Sequence, residues 1–246
     1  IFKSLSVIKK KHFNLTINMI LFSYRQMYFK SIEYERKFRI NSRINQGKGE
    51  LEDFRIWLEN FPNKKITKLG IITLNKINSF EYSHNILNKC SYIAHVSRVT
   101  KYSLLLRPQL AKELLVLGLI HNIFEATEYN YKDLLNYFDN KTLSKVKILK
   151  IDRKKQHRED YLFKYYKKIE KAHISVSIIK ILDKIDNIFT LCLNPSLEKR
   201  MVYLKQIEDY IIPLTKRTLP EISDYLVKLI NNAYEIGYMP NGVSRC

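Results

Sequence analysis

Apolar residues recur at helical spacing along most of this chain. From Ile66 onward the three- and four-residue period predicts helices over 67–80, 92–105, 109–125, 131–138, 141–150, 158–170, 174–192, 196–217 and 220–235. Pro108, Pro195 and Pro220 fall near helix starts, where a missing amide is tolerated. Asn194-Pro195-Ser196 reads as a turn. No period-two alternation persists and no internal repeat is visible, so the pattern predicts an all-α bundle. Upstream, Leu51-Glu-Asp-Phe-Arg-Ile-Trp-Leu58 predicts a short helix with Phe54, Trp57 and Leu58 on one face, broken by Asn60-Phe-Pro-Asn63. Residues 41–50 are polar and glycine-bearing, and read as a loop. This divides the chain into a basic, partly helical N-terminal extension over 1–65 and a helical domain over 66–240.

Polar residues interrupt the apolar helices at four places. His95 lies in Tyr92-Ile-Ala-His-Val-Ser-Arg-Val99, and His121-Asn122 closes the run Leu114-Leu-Val-Leu-Gly-Leu-Ile120. Asp183 lies in Ile178-Ile-Lys-Ile-Leu-Asp-Lys-Ile-Asp-Asn187. Helix 109–125 is apolar nearly all round, which marks a central core element. Buried imidazoles and carboxylates are costly unless paired or metal-bound. Each alone reads as a core polar group satisfied by a neighbouring helix. Together, two histidines and a carboxylate on three helices point to one divalent cation. His121 and Glu125 are four apart and share a face, as do Asp183 and Asn187.

The formal net charge is +19, from 43 Lys and Arg against 24 Asp and Glu. A polyanionic partner would account for it, either nucleic acid or a phosphorylated small molecule. Lysine far outnumbers arginine, the better bidentate phosphate reader, and the charge is scattered over nearly every helix. Compositional bias therefore accounts for the excess better than nucleic-acid binding does, and the surplus is expected to be dispersed over the surface. Cys90, Cys192 and Cys246 are far apart and odd in number, which supports neither a disulfide framework nor a zinc ribbon. A reducing cytoplasm is the default compartment. Lys9-Lys-Lys-His12 followed by Leu15-Thr-Ile-Asn-Met-Ile-Leu-Phe-Ser-Tyr24 imitates a signal peptide. The apolar run is short, holds Thr and Asn, and has no small-residue cleavage site after it. It is also too short to span a bilayer.

From about Leu74 to Leu214 the chain resembles the HD-domain phosphohydrolases, and within them the (p)ppGpp hydrolase domain of RelA/SpoT proteins. Where that family has Tyr-Ile-x-His-Pro-x-x-Val-Ala, this chain has Tyr92-Ile-Ala-His95-Val-Ser-Arg-Val99. Where it has Leu-Leu-His-Asp-x-x-Glu-Asp-Thr, this chain has Leu119-Ile-His-Asn-Ile-Phe-Glu-Ala-Thr127. Where it has Lys-Leu-Ala-Asp-Lys-Leu-x-Asn-Leu, this chain has Lys180-Ile-Leu-Asp-Lys-Ile-Asp-Asn-Ile188. The resemblance implies an HD-domain helical bundle in which His95, His121, Asn122 and Asp183 hold a divalent metal, manganese by analogy. It implies Glu125 as general base or as the group that orients the water, and Tyr92, Lys184, Asn187, Lys199 and Tyr203 along a nucleotide pocket.

Three departures bear on activity. Asn122 stands where the family has a metal-binding Asp, so a neutral amide replaces a charged ligand. Ala126 replaces the acidic residue after the catalytic Glu. The loop before His95, Asn85-Ile-Leu-Asn-Lys89, is short and carries one Lys where the family has a longer basic loop. No synthetase or regulatory segment follows the last predicted helix, so a hydrolase of this kind would be a stand-alone one. Two functional readings emerge. One is a stand-alone, weakened (p)ppGpp-type pyrophosphohydrolase with a nucleotide substrate. The other is an inactive HD-fold pseudoenzyme serving as a nucleotide-binding or protein-interaction module. Nucleic-acid binding ranks last, and no membrane partner is expected.

Overall fold

The computed structural model describes residues 31–83 and 88–240. The signal-like stretch over 9–24, most of the short loop before His95, and Cys246 lie outside the described residues. Among the described residues there are no strands. The helices are α1 (Ile32–Ile44), α2 (Glu50–Glu59), α3 (Lys64–Ser79), α4 (Lys89–Leu106), α5 (Ala111–Ile120) and α6 (Ile123–Ala126). They continue with α7 (Tyr131–Leu134), α8 (Asn140–Leu149), α9 (Glu159–Lys171), α10 (Ile174–Thr190), α11 (Leu197–Gln206), α12 (Ile212–Thr218) and α13 (Ser223–Ile236). No helix among the described residues is long and apolar enough to cross a membrane. Cys90 is an exposed free thiol and Cys192 a buried one.

The largely apolar text of α5 and the long isoleucine-rich text of α10 have a direct consequence: both run through the middle of the bundle. Leu114, Leu115, Leu117, Leu119 and Ile120 of α5 are inaccessible to solvent, as are Val176, Ile178, Ile179 and Ile181 of α10. α10 packs against α1, α4, α5, α8, α9, α12 and α13. The hydrophobic core runs without interruption across position 65, because Phe54 and Leu58 of α2 pack into the same cluster as Leu74 and Ile77 of α3. α1 is tied in by polar contacts. Arg36 donates to the Phe189 carbonyl at 3.1 Å and to Asn232 Oδ1 at 2.7 Å, joining the end of α10 to α13.

Two predicted helices are divided. The helix expected over 109–125 stops at Ile120 and resumes at Ile123. The cause is local: His121 Nδ1 bonds the Gly118 carbonyl at 2.7 Å, the acceptor that a continuing helix would offer to the Asn122 amide. The helix expected over 196–217 contains a π-helical turn at Ile207–Ile211. Pro213 follows it after one residue. Its ring has no amide to donate and would clash with the Asp209 carbonyl in a regular helix, and one wide turn relieves both.

α4 and α5 pack closely where Gly118 meets Thr100. A β-carbon at Gly118 would stand 2.5 Å from the Thr100 hydroxyl oxygen and 3.1 Å from its Cα. The helices would have to move apart. Gly118→Ala is therefore expected to destabilise the protein by about 1–3 kcal/mol through overpacking. Urea denaturation measures this, and a midpoint equal to that of the natural protein would show the crossing to be loose.

Candidate metal centre

Three helices deliver the interrupting polar residues to one point. His95 comes from the middle of α4, His121 from the break after α5, and Asp183 from the buried centre of α10. One ligand atom from each lies within 4.8 Å of the others. The two Nε2 atoms are 3.3 Å apart. Asp183 Oδ1 is 3.4 Å from His95 Nε2 and 3.8 Å from His121 Nε2. Asn122 stands at the same point, its amide nitrogen 3.5 Å from His95 Nε2. Rotating that amide by half a turn puts its oxygen there instead.

The outer nitrogens decide what the inner ones offer. His121 Nδ1 faces a carbonyl oxygen, and His95 Nδ1 faces Asp186 Oδ2 at 2.8 Å. Neither acceptor carries a proton to give, so both Nδ1 atoms are donors. In the neutral imidazoles both Nε2 atoms then present lone pairs toward each other, and only a cation or a proton between them makes that contact favourable. Burial opposes charging of His95, but hydrogen bonds to Asp183 and Asp186 prevail and raise it to about 9. A divalent ion fits this donor set: two imidazole nitrogens and a carboxylate, with an acceptor oxygen holding the outer nitrogen of each histidine.

Asp183 is shared. Its Oδ1 accepts from Asn187 Nδ2 at 2.8 Å, and its Oδ2 faces Lys180 Nζ at 3.2 Å. Burial pushes this carboxyl up, but the Lys180 charge and the histidine hydrogen bonds hold it well below the usual range. Burial and the neighbouring Lys180 pull Lys184 down to about 7.

The cluster opens into a cavity of about 450 Å³. Its walls include Tyr92, Glu125, Lys184, Asn187 and Tyr203, all expected from the sequence. The hydroxyls of Tyr92 and Tyr203 are buried there with no hydrogen-bond partner among the described residues, and Lys184 Nζ lies 4.5 Å above the Tyr203 ring. Lys199 stands apart: it is exposed on α11 and outside the cavity walls. It lies in the helix's first turn, where side chains lean back toward the N-terminus. Several wall residues were not anticipated, among them Arg43 of α1, Arg153 and Lys180. Arg153, in a segment whose charge reads as solvated, donates to Glu125 Oε2 at 3.0 Å. Asp186 also went unread, although it sits three residues after Asp183 on a helix that is buried nearly all round.

No family model and no curated protein matches this chain. Among solved structures its fold is similar to that of a metazoan orthologue of SpoT, described as hydrolysing ppGpp and acting in starvation responses. The TM-score is 0.52 at 18% sequence identity, covering 70% of this chain and 97% of that chain. At that identity the likeness establishes the fold, an all-α HD-domain bundle.

Lys180 and the histidine pair compete for Asp183, which gives a test with opposite signs for cations and anions. Lys180→Met keeps the volume and removes the charge. It is expected to tighten manganese binding about tenfold, well within the Coulomb term for a unit charge at this range. Pyrophosphate binding should weaken in the same protein. Calorimetric titration with each reads both effects, and an unchanged manganese affinity would show that the Lys180 charge is not felt at the histidines.

Proposed function

We propose that this chain is a metal-assisted phosphohydrolase for a pyrophosphorylated nucleotide of the (p)ppGpp type, with a weakened cation site. One observation carries the reading: the convergent His95, His121 and Asp183 open into a cavity walled by Arg43, Arg153, Lys180 and Lys184. Such a site suits a cation at its base and a phosphate anion above it. His95, His121, Asp183 and Asn122 would hold the ion. A bound divalent ion supplies Lewis acidity toward a phosphoryl oxygen.

The chain's own residues do the rest. Glu125 is the general base, placed on the cavity wall and held by Arg153 until an anion competes for that guanidinium. Lys184 is buried with no ion-paired carboxylate among the described residues, and a phosphate would favour its charged form. The Tyr92 and Tyr203 hydroxyls offer hydrogen bonds to the substrate, and Asn187 orients Asp183. Asn122 and Ala126 subtract two carboxylates from the arrangement that the RelA/SpoT-like motif implies. With Lys180 on Asp183, the cation faces less negative charge than its ligand count indicates. These same features favour the second reading, a nucleotide-binding module that no longer turns over.

Manganese titration and (p)ppGpp hydrolysis separate the two. The natural protein is expected to bind manganese weakly and hydrolyse slowly. Asn122→Asp should tighten manganese about tenfold, the usual scale for a ligand or its close support. Asn122→Asp with Ala126→Asp should recover turnover, because cation binding and water activation are separate requirements. Full occupancy and fast turnover in the natural protein would refute the weakened site. No gain from Asn122→Asp would remove Asn122 from the ligand set. Nucleotide binding without turnover in the double variant would leave the binding module.

A further inference from the structure

Asp186 lies beside the His/Asp cluster, and both of its carboxylate oxygens are taken by side-chain donors. Its Oδ2 accepts from His95 Nδ1 at 2.8 Å and from Arg98 Nη2 at 3.0 Å. Its Oδ1 accepts from Arg39 Nε at 2.7 Å and from Arg98 Nε at 2.9 Å. Both guanidiniums are held from behind. Arg39 pairs with Glu35, which also accepts from the Tyr102 hydroxyl at 3.0 Å. Arg98 donates to Glu50 Oε2 at 2.7 Å and to Ser42 Oγ at 3.1 Å. We infer that Asp186 is the positioning residue of the cation site, and that helix α1, through Arg39, is a working part of that site. The inference rests on the metal-site reading above.

An imidazole coordinates a cation through one nitrogen, and the partner of the other nitrogen decides which. A carboxylate can only accept, so Asp186 keeps the proton on Nδ1 and leaves Nε2 free to point at His121. The carboxylate is prevented from turning by three guanidinium hydrogen bonds from two directions. A water or a backbone carbonyl in its place would set the same tautomer but would not fix the ring plane so firmly. The Nε atoms of both arginines are committed to Asp186, although both side chains also line the cavity.

Asp186→Asn distinguishes positioning from general support. Oδ1 must remain an oxygen, because two Nε–H groups donate to it. The amide nitrogen then takes the Oδ2 place and donates to His95 Nδ1. That moves the imidazole proton to Nε2 and removes the lone pair the cation needs. The amide also faces Arg98 Nη2, so some loss of stability is expected as well. Stability loss alone is what a purely structural network would produce.

The test uses the full chain and divalent manganese or zinc, titrated in competition with a chelating dye, with thermal unfolding and imidazole ¹H–¹⁵N spectra recorded on the same proteins. In the natural protein, metal-free, the His95 Nδ1–H should give a slowly exchanging resonance. Asp186→Asn should abolish it and weaken cation binding by about 10- to 100-fold. Arg39→Gln, which touches no ligand, should weaken cation binding severalfold with the circular dichroism spectrum unchanged, and this variant decides the matter if Asp186→Asn does not fold. Glu50→Gln, at the far end of the network, should lower the melting temperature and leave cation affinity within about twofold. Cation affinity unchanged in folded Asp186→Asn or in Arg39→Gln would overturn the proposal, as would the absence of the Nδ1–H resonance from the natural protein. If the natural protein binds neither ion while the resonance is present and is lost in Asp186→Asn, the metal reading fails and the positioning of His95 stands.

Discussion

The close approach of α4 and α5 at Gly118 is the constraint from which the centre follows. Thr100 lies directly against Gly118, where a side chain would collide with it. The same glycine lends its carbonyl to His121 Nδ1 and so ends α5 one residue before the histidine. His95 lies on α4 a little more than one turn before Thr100, and its Nε2 therefore meets that of His121 at 3.3 Å. A wider crossing would leave two isolated buried imidazoles, each without a use for its lone pair. The absent side chain sets the spacing of the two imidazoles. The carbonyl of the same residue sets the tautomer of one of them.

α10 then divides its polar residues between two tasks. Lys180, Asp183, Lys184 and Asn187 follow the three- and four-residue spacing of one helix face, the face that meets the cavity. Asp186 falls off that stripe and turns toward α4 and α1. The cavity face carries two lysines and one carboxylate, so its balance favours an anion. Lys184, pulled down to about 7 by burial and by Lys180, is a buried ammonium that phosphate would stabilise. Cation binding gains from the histidine pair and is weakened by Lys180, while anion binding gains from both lysines. Geometry supplies the first and charge the second, which is why Asn122 in place of a carboxylate matters more here than it would in a site rich in acidic ligands.

Much of this was legible in the chain. His95, His121 and Asp183 stand out because each breaks an apolar helix, and an interior polar group announces a partner. The bundle itself was legible from the period of α3 and α9, where most buried positions are apolar ones, and from the apolar density of α4 and α10. What stayed hidden lacks such contrast. Asp186 sits two residues after Lys184 in text where charge alternates with isoleucine, so nothing distinguishes it from a solvent-facing acid. The break after Ile120 depends on which acceptor His121 Nδ1 finds, and no periodicity encodes that. Lys199 has the right residue type one turn from Tyr203, but its place in the first turn of α11 carries it to the surface. Arg153 reads as part of a solvated run, and only the fold brings it to Glu125.

α1 was the hardest segment to read, for a reason that bears on the site. Its sequence is mostly polar, and its buried face consists of Glu35, Arg36, Arg39 and Ile40. A helix docked by apolar contacts alone can slide along its groove at small cost, since hydrophobic attraction has no direction. A buried ion cluster adds little net stability, because desolvation offsets most of the Coulomb gain. What it adds is register: Arg36 must find the end of α10 and Arg39 must find Asp186, and one placement of α1 satisfies both. That placement holds the Asp186 carboxylate, the carboxylate holds the His95 imidazole, and the imidazole presents its free nitrogen to His121. Helix α1, which reads from the sequence as a charged extension, thereby takes part in defining the geometry at the centre of the bundle.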